Sequence, residues 1–258
     1  MEARPVRVES GSYELVFVAD AKMDDGRYAN NGWLQELPDP ISKLTWDNAV
    51  QLSPESASKL GVITGDVLDI TVSGKAMSVP ALIAPGHCDA SLSVSVGYGR
   101  TICGNVGTGV GVNVYPLTAH DEPRFRIVGS VAKSSRKHPL AVTQEHGALE
   151  GRGADLTRQA THAEWVKNQS DSGYFKKMGI DAHAPANFSL YTHPPLNDPH
   201  SWGMTIDLNA CTGCSACMIA CQSENNIPIV GKEQVINNRV QSLHRHSILR
   251  EQLPVQGS

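Results

Sequence analysis

Apolar positions alternate with polar ones along several stretches of this 258-residue chain, and the first is YELVFV at residues 13–18, the pattern of a half-buried strand. From Gly26 to Pro40 the alternation stops. Turn formers dominate there and predict an irregular loop pinned to a core by Trp33, Leu34 and Leu37. A short helix is signalled next: Ser53 suits the cap position, Pro54 the first helical turn, Glu55 the positive end, and Gly61 the stop after Leu60. Leu68, Ile70 and Val72 then alternate with polar partners. Ser73-Gly74 turns the chain, and Met77, Val79, Ala81 and Ile83 alternate back, which predicts a hairpin. Leu92, Val94 and Val96 continue the period of two, and Val112, Val114 and Leu117 predict another short strand.

These elements make residues 46–130 a mainly β domain, closed so that its edges are protected. Residues 1–45 form an irregular lead-in with one strand. Between 131 and 200 the pattern fades into segments such as KSSRKHP and HAPANFSLYTHPPLNDPH, a linker with one helix near Leu156 to Lys167.

Composition narrows the function. With 40% hydrophobic residues, 19% charged residues and a formal charge of -4, the chain has no basic field for a nucleic-acid backbone, so nucleic acid is excluded as a partner. No stretch approaches the length of a membrane span, and the N-terminus shows neither a signal-peptide layout nor a twin-arginine pair, so the chain as written is expected to stay in the cytoplasm. Six cysteines are too few for a disulfide scaffold, and four of them crowd into eleven positions, CTGCSACMIAC at 211–221.

That run is the strongest chemical signal. Cys211, Cys214, Cys217 and Cys221 have CxxCxxCxxxC spacing, in which a short loop turns three thiolates toward one cubane cluster and the fourth leaves on a helix toward another. The small Gly213, Ser215 and Ala216 leave room for sulfide and let backbone N–H groups face it. A zinc knot and a disulfide pair are the alternatives; the former normally pairs two separated CxxC knuckles and the latter gives no reason for the regularity. One run supplies three ligands to a 4Fe-4S cluster, so the ligand set within these residues is incomplete.

Other candidates are weaker. Gly107, Gly109 and Gly111 repeat every second residue within GNVGTGVGVNVY (104–115) and do not satisfy GxGxxG, so they read as glycines for close packing. Cys88 and Cys103 read as small buried hydrophobes. His87 beside Cys88 is poorly placed to share a metal, and His120, His138, His146, His162, His183 and His193 read as solvated loop histidines.

The stretch WGMTIDLNACTGCSACMIACQSENNIPIVGKEQV (202–235) resembles the first ferredoxin motif of the iron-sulfur subunit of alternative complex III, a bacterial quinol:cytochrome c oxidoreductase. NNGWLQELPDPISKLTWDNAV, VGYGRTICGNVGTGVGVNVYPL and TQEHGALEGR are similar to the molybdopterin-oxidoreductase-like region of the same subunit. The resemblance implies a double-psi β-barrel of the molybdoenzyme C-terminal type at 46–130, without its molybdopterin, and the beginning of a ferredoxin-like α+β module at 201–239. It implies an electron-transfer role beside a membrane quinol-binding subunit and a multiheme cytochrome c subunit, on the periplasmic face of the bacterial inner membrane. No bond-making active site is expected. The tail VQSLHRHSILREQLPVQGS, within residues 240–258, resembles nothing in that family, as expected of a truncated or frameshifted fragment. A pterin-binding fragment of a polysulfide or DMSO reductase type enzyme, and a docking module with a vestigial cysteine run, are the rival readings.

Overall fold

The structure is a computed structural model and describes residues 12–120, 124–144, 160–171, 173–174, 199–200 and 209–239. The chain divides into two compact units. One comprises residues 1–146 with 211–242, and the other residues 147–210 with 243–258.

The first unit is built on a seven-stranded mixed sheet of order β7-β1-β6-β3-β5-β4-β8, comprising β1 (Tyr13–Val18), β3 (Val50–Leu52), β4 (Asp66–Val72), β5 (Lys75–Ile83), β6 (Ser91–Ser95), β7 (Phe125–Val128) and β8 (Ser130–Lys137). A separate pair joins β2 (Leu44–Thr45) to β9 (Ala141–Val142). Parallel pairing of β1 with β6 and of β3 with β5 makes the sheet mixed. The two edges meet. Strands β7 and β8 are separated only by Gly129, whose N–H donates to the Thr71 carbonyl at 2.8 Å, so the sheet curls around its own core and returns.

The core follows from strand alternation. Leu68, Ile70, Leu92, Val50, Leu52 and Ala81 have no measurable exposure, whereas the Ser residues between Leu92 and Val94 and on either side face outward and are partly exposed. The β4–β5 hairpin turns at Ser73 (φ 48°) and Gly74 (φ 78°), two positive φ values in succession that match the twist of the flanking strands. Helix α2 (Pro54–Leu60) starts where the Ser53 side chain accepts the Ser56 N–H and stops at left-handed Gly61.

Three predicted elements differ: the linker expected from residue 131, including most of KSSRKHP, begins instead with β8, paired to β4, and β9. The lead-in loop contains helix α1 (Gly32–Glu36), capped by the Asn31 side chain, which accepts the Leu34 N–H. The strand expected at Val112–Leu117 is instead an irregular segment, with Val114 in the right-handed helical region, ending in a single 3-10 turn, Tyr115–Leu117. Asn48 explains this: its amide accepts from Val112 N at 2.8 Å and donates to the carbonyls of Val112 (2.9 Å) and Ser95 (2.8 Å), so a side chain takes the backbone bonds a neighbouring strand would have filled.

The glycine-rich segment holds a four-residue helix, α3 (Gly104–Gly107); Gly107 and Gly111 do serve close packing, whereas a Cβ on Gly109 would meet nothing within 4 Å. A Cβ on Gly99, at φ +72°, would lie 2.0 Å from Asn113 N, and one on Gly107 would lie 2.4 Å from the Ala29 carbonyl. In the second unit, helix α4 (His162–Lys167) opens with a capping box between Thr161 and Glu164; Leu156, where the sequence had it begin, lies outside the described residues.

Candidate metal centre

The cysteine run lies in the first unit, on a loop leading into helix α5 (Ala216–Glu224); helix α6 (Lys232–Ile236) follows. Gly213 (φ 69°) and Ser215 (φ 60°) both adopt the left-handed conformation, and this bends the backbone around Cys214. Cys214 is the thiol most affected. The Ala216 backbone N–H, with the Thr212 hydroxyl, holds it below the usual thiol range and favours the thiolate that a metal requires. Cys217 and Cys221 are four residues apart on α5 and therefore share a helix face. The Asn225 amide donates to the Cys221 carbonyl at 2.9 Å and to its sulfur at 3.5 Å. Cys211, Cys214 and Cys217 are exposed, Cys221 is half-buried, and none of the four is in a disulfide.

The chemistry of this donor set, soft thiols with N–H and O–H donors aimed at two of the sulfurs, fits a thiolate-bound iron centre. The sulfurs are not gathered. Among the described residues no group of three or more His, Cys, Asp or Glu side chains stands close enough to hold a metal ion.

What fixes the run in place lies downstream, in contacts with the β-bearing part of the same unit. Trp33 Nε1 donates to the Ile227 carbonyl at 2.7 Å. The buried Glu36 carboxylate accepts from the N–H groups of Val230 (3.0 Å) and Gly231 (2.8 Å), and burial pushes its carboxyl up from the ordinary range despite those bonds. Lys232 Nζ lies 2.5 Å from Oδ2 of Asp47, itself only 5% exposed, and Val235 packs against Trp46 and Ala141 with no exposure at all.

A cleft of about 370 Å³ opens beside this contact, lined by residues including Asp47, Gly109, Gly111, Arg136, His138 and Lys232. His138 is therefore no solvated loop histidine: its Nε2 lies 3.1 Å from Asp47 Oδ2 and 2.9 Å from Lys232 Nζ. The expectation for Cys88 is also corrected, because it is exposed, whereas Cys103 is half-buried against Met23, Ala29 and Tyr98. His87 bonds Ser93 Oγ through Nε2 and the Cys88 carbonyl through Nδ1; His146, His183 and His193 lie outside the described residues.

No family model matches the chain. A 43-residue stretch, 17% of the chain, is 54% identical to the iron-sulfur cluster-binding subunit of the menaquinone reductase of Nitratidesulfovibrio vulgaris and covers 16% of that subunit. A 25-residue stretch, 10% of the chain, is 56% identical to the arsenate respiratory reductase iron-sulfur subunit ArrB of Chrysiogenes arsenatis and covers 83% of it. The chain is related to the iron-sulfur subunits of reductases. Among solved structures, the acetylene hydratase of Pelobacter acetylenicus is similar over 47% of this chain and 18% of its own, at 14% identity and a TM-score of 0.35. No helix among the described residues of this relative of iron-sulfur subunits is long and apolar enough to cross a membrane.

Proposed function

We propose that the chain is an electron-transfer component of a respiratory quinol:cytochrome c oxidoreductase of the alternative complex III type. Cys211, Cys214 and Cys217 hold one 4Fe-4S cluster there, and Cys221 reaches toward a second. The observation that carries this reading is the run itself. Four cysteines free of disulfides sit at cubane spacing on a loop bent by two left-handed residues and on the helix it leads into, in a chain whose short sequence matches are to iron-sulfur subunits. When bound, the cluster supplies reversible one-electron storage. The protein's part is to present thiolates at Cys211, Cys214 and Cys217 and to aim donors at them: the Ala216 N–H and Thr212 hydroxyl at Cys214, and the Asn225 amide at Cys221.

In the same reading the curled sheet is a double-psi barrel of the molybdoenzyme type that has lost its pterin. It docks the cluster module beside a membrane quinol-binding subunit and a multiheme cytochrome c, on the periplasmic face of the inner membrane. The curled mixed sheet and the close-packed Gly99, Gly107 and Gly111 support the barrel part.

Anaerobic reconstitution with iron and sulfide tests the ligand assignment. Iron uptake with a broad visible absorbance is expected, lost in the Cys211→Ser and Cys214→Ser variants. The same chain taking up one zinc and no iron, or iron uptake indifferent to both substitutions, overturns it. Because these residues supply one ligand run, the expected iron content falls below four per chain unless a thiol is borrowed from another molecule.

A further inference from the structure

We propose that His138 is a positioning residue for the cysteine run, acting with Asp47 and Lys232 as a proton-sensitive latch that holds the segment after α5 on the sheet-bearing part of its unit. The geometry sets one ring nitrogen between a carboxylate and an ammonium. His138 Nε2 lies 3.1 Å from the Asp47 carboxylate and 2.9 Å from the Lys232 ammonium. To accept from Lys232 the nitrogen must carry a lone pair; to donate to Asp47 it must carry a proton. One ring nitrogen cannot do both: the neutral Nδ1–H tautomer accepts from Lys232, the neutral Nε2–H tautomer and the imidazolium donate to Asp47, and the imidazolium, with both nitrogens protonated, rules the first arrangement out.

With His138 neutral and its proton on Nδ1, Lys232 bridges Asp47 and the imidazole and the latch is shut. With His138 protonated, the ring takes Asp47 Oδ2 for itself and sets a second cation against Lys232. Lys232 is the first residue of α6, so its displacement acts on the element that buries Val235 against Trp46 and Ala141 and that follows directly on the Val230 and Gly231 N–H bonds to Glu36.

The surroundings suit this role. The His138 backbone N–H is tied to the Gly65 carbonyl at 2.8 Å, so the ring is held while its side chain, 41% exposed, can exchange a proton with solvent. The other charged groups facing the site are Arg136 across the cleft, Lys22 buried on the Asp20 and Asp47 side, and Glu36 under Val230. Imidazole is the group among these that ordinarily changes charge between about pH 5 and 8. Glu36, pushed up by burial, is the one other candidate for an acid-side transition. The latch stands on this geometry alone; that the segment it holds carries a cluster module rests on the iron-sulfur reading above.

Hydrogen exchange of the full metal-free chain tests it, with rates corrected for the intrinsic effect of pH. Protection of the amides of residues 227–236 is expected to fall about tenfold between pH 8 and pH 5, the scale of one charge-assisted hydrogen bond lost, while the β4–β5 hairpin amides hold constant. In His138→Gln that pH dependence should vanish, and in Glu36→Gln it should persist. A His138→Gln chain that keeps the wild-type pH response, or a wild-type segment whose protection ignores pH, overturns the latch. Should His138→Gln also disturb the hairpin amides, Lys232→Met decides: it is expected to show low, pH-independent protection at 227–236, and a retained pH response refutes the proposal. None of these readouts involves iron, so failure of the latch and failure of the cluster assignment are seen separately.

Discussion

The curled sheet and the cysteine-bearing segment belong to one unit and are held by opposite means. In the sheet, a row of aliphatic side chains from Leu15 to Val128 is sealed from water, and hydrogen bonds run between neighbouring strands. In residues 211–239 only Gln222, Ile227 and Val235 are buried, and the attachment is polar: an indole on a carbonyl, a carboxylate on two backbone N–H groups, an ammonium on a buried aspartate. Apolar burial is additive and indifferent to pH, whereas bonds to charged groups are directional and respond to protonation. The first region is thereby built as a fixed platform, and the second as a part whose attachment can be adjusted without unfolding what it rests on.

The largest effect expected from this contrast is in the platform. Leu68 has no exposure and sits in the centre of β4, between β5 and β8. Leu68→Ala is expected to cost about 2–5 kcal/mol, the lost transfer energy plus the cavity left behind. Denaturant unfolding followed by tryptophan fluorescence, with amide exchange of β4 and β5, measures it. A loss confined to the cysteine segment would contradict the division drawn here.

Next comes the attachment. Glu36→Ala removes the acceptor of two backbone N–H groups and leaves both without it, at an expected cost of about 1.5–3 kcal/mol. Its signature differs from that of Leu68→Ala. Exchange should quicken at 227–236 while the β4–β5 amides keep their protection; uniform destabilisation of both regions would show that the segment is an integral part of the platform.

Glu36 also supplies a smaller, pH-dependent term whose sign is fixed by its direction of shift. Burial raises its carboxyl above the ordinary 4.5 in the folded chain, so the fold favours the protonated form. The corresponding stabilisation is full below the ordinary value and is lost as pH rises through the folded one. The stability difference between wild type and Glu36→Gln is therefore expected to be largest in acid and to shrink toward neutrality, the reverse of a salt-bridged carboxylate. A difference that grows toward neutrality would mean that the two N–H bonds, not burial, dominate.

How much of this was legible depends on the range of each interaction. Strands β1, β4, β5 and β6 were readable because one buried face imposes a period of two, and α2 because Ser53, Pro54 and Gly61 act within one turn of its ends. The cysteine run is conspicuous for the same reason, since its spacings of three and four residues are local, though among the described residues its sulfurs are not gathered. Val112 to Leu117 misled because the alternation is genuine while the hydrogen bonds go to Asn48, 64 residues away. Asp47, His138 and Lys232 gave no signal: the imidazole is 91 residues from the carboxylate and 94 from the ammonium, and nothing local marks three residues that meet only when the sheet curls. The bent loop around Cys214 was half visible, through Gly213, but the left-handed Ser215 was not, because serine rarely adopts that conformation.

The smallest expected effect is at Cys214, and it sharpens the comparison because it asks whether the exposed region has any organisation of its own. Two donors lower this thiol below its ordinary 9.0, the Ala216 N–H contributing most and the Thr212 hydroxyl next. In the folded chain the pH profile of Cys214 alkylation, read by mass spectrometry of the labelled peptide, is expected to have its midpoint below that of the same peptide free in solution. Thr212→Val removes the lesser donor, so the midpoint should move only part of the way back, by less than half of the total shift. The remainder belongs to a backbone N–H that the left-handed Ser215 turns toward the sulfur, and it should disappear when the chain is unfolded in urea. A midpoint unmoved by Thr212→Val would remove the hydroxyl from the account, and one restored completely would show that the loop backbone, for all its unusual φ values, is not preorganised for a thiolate.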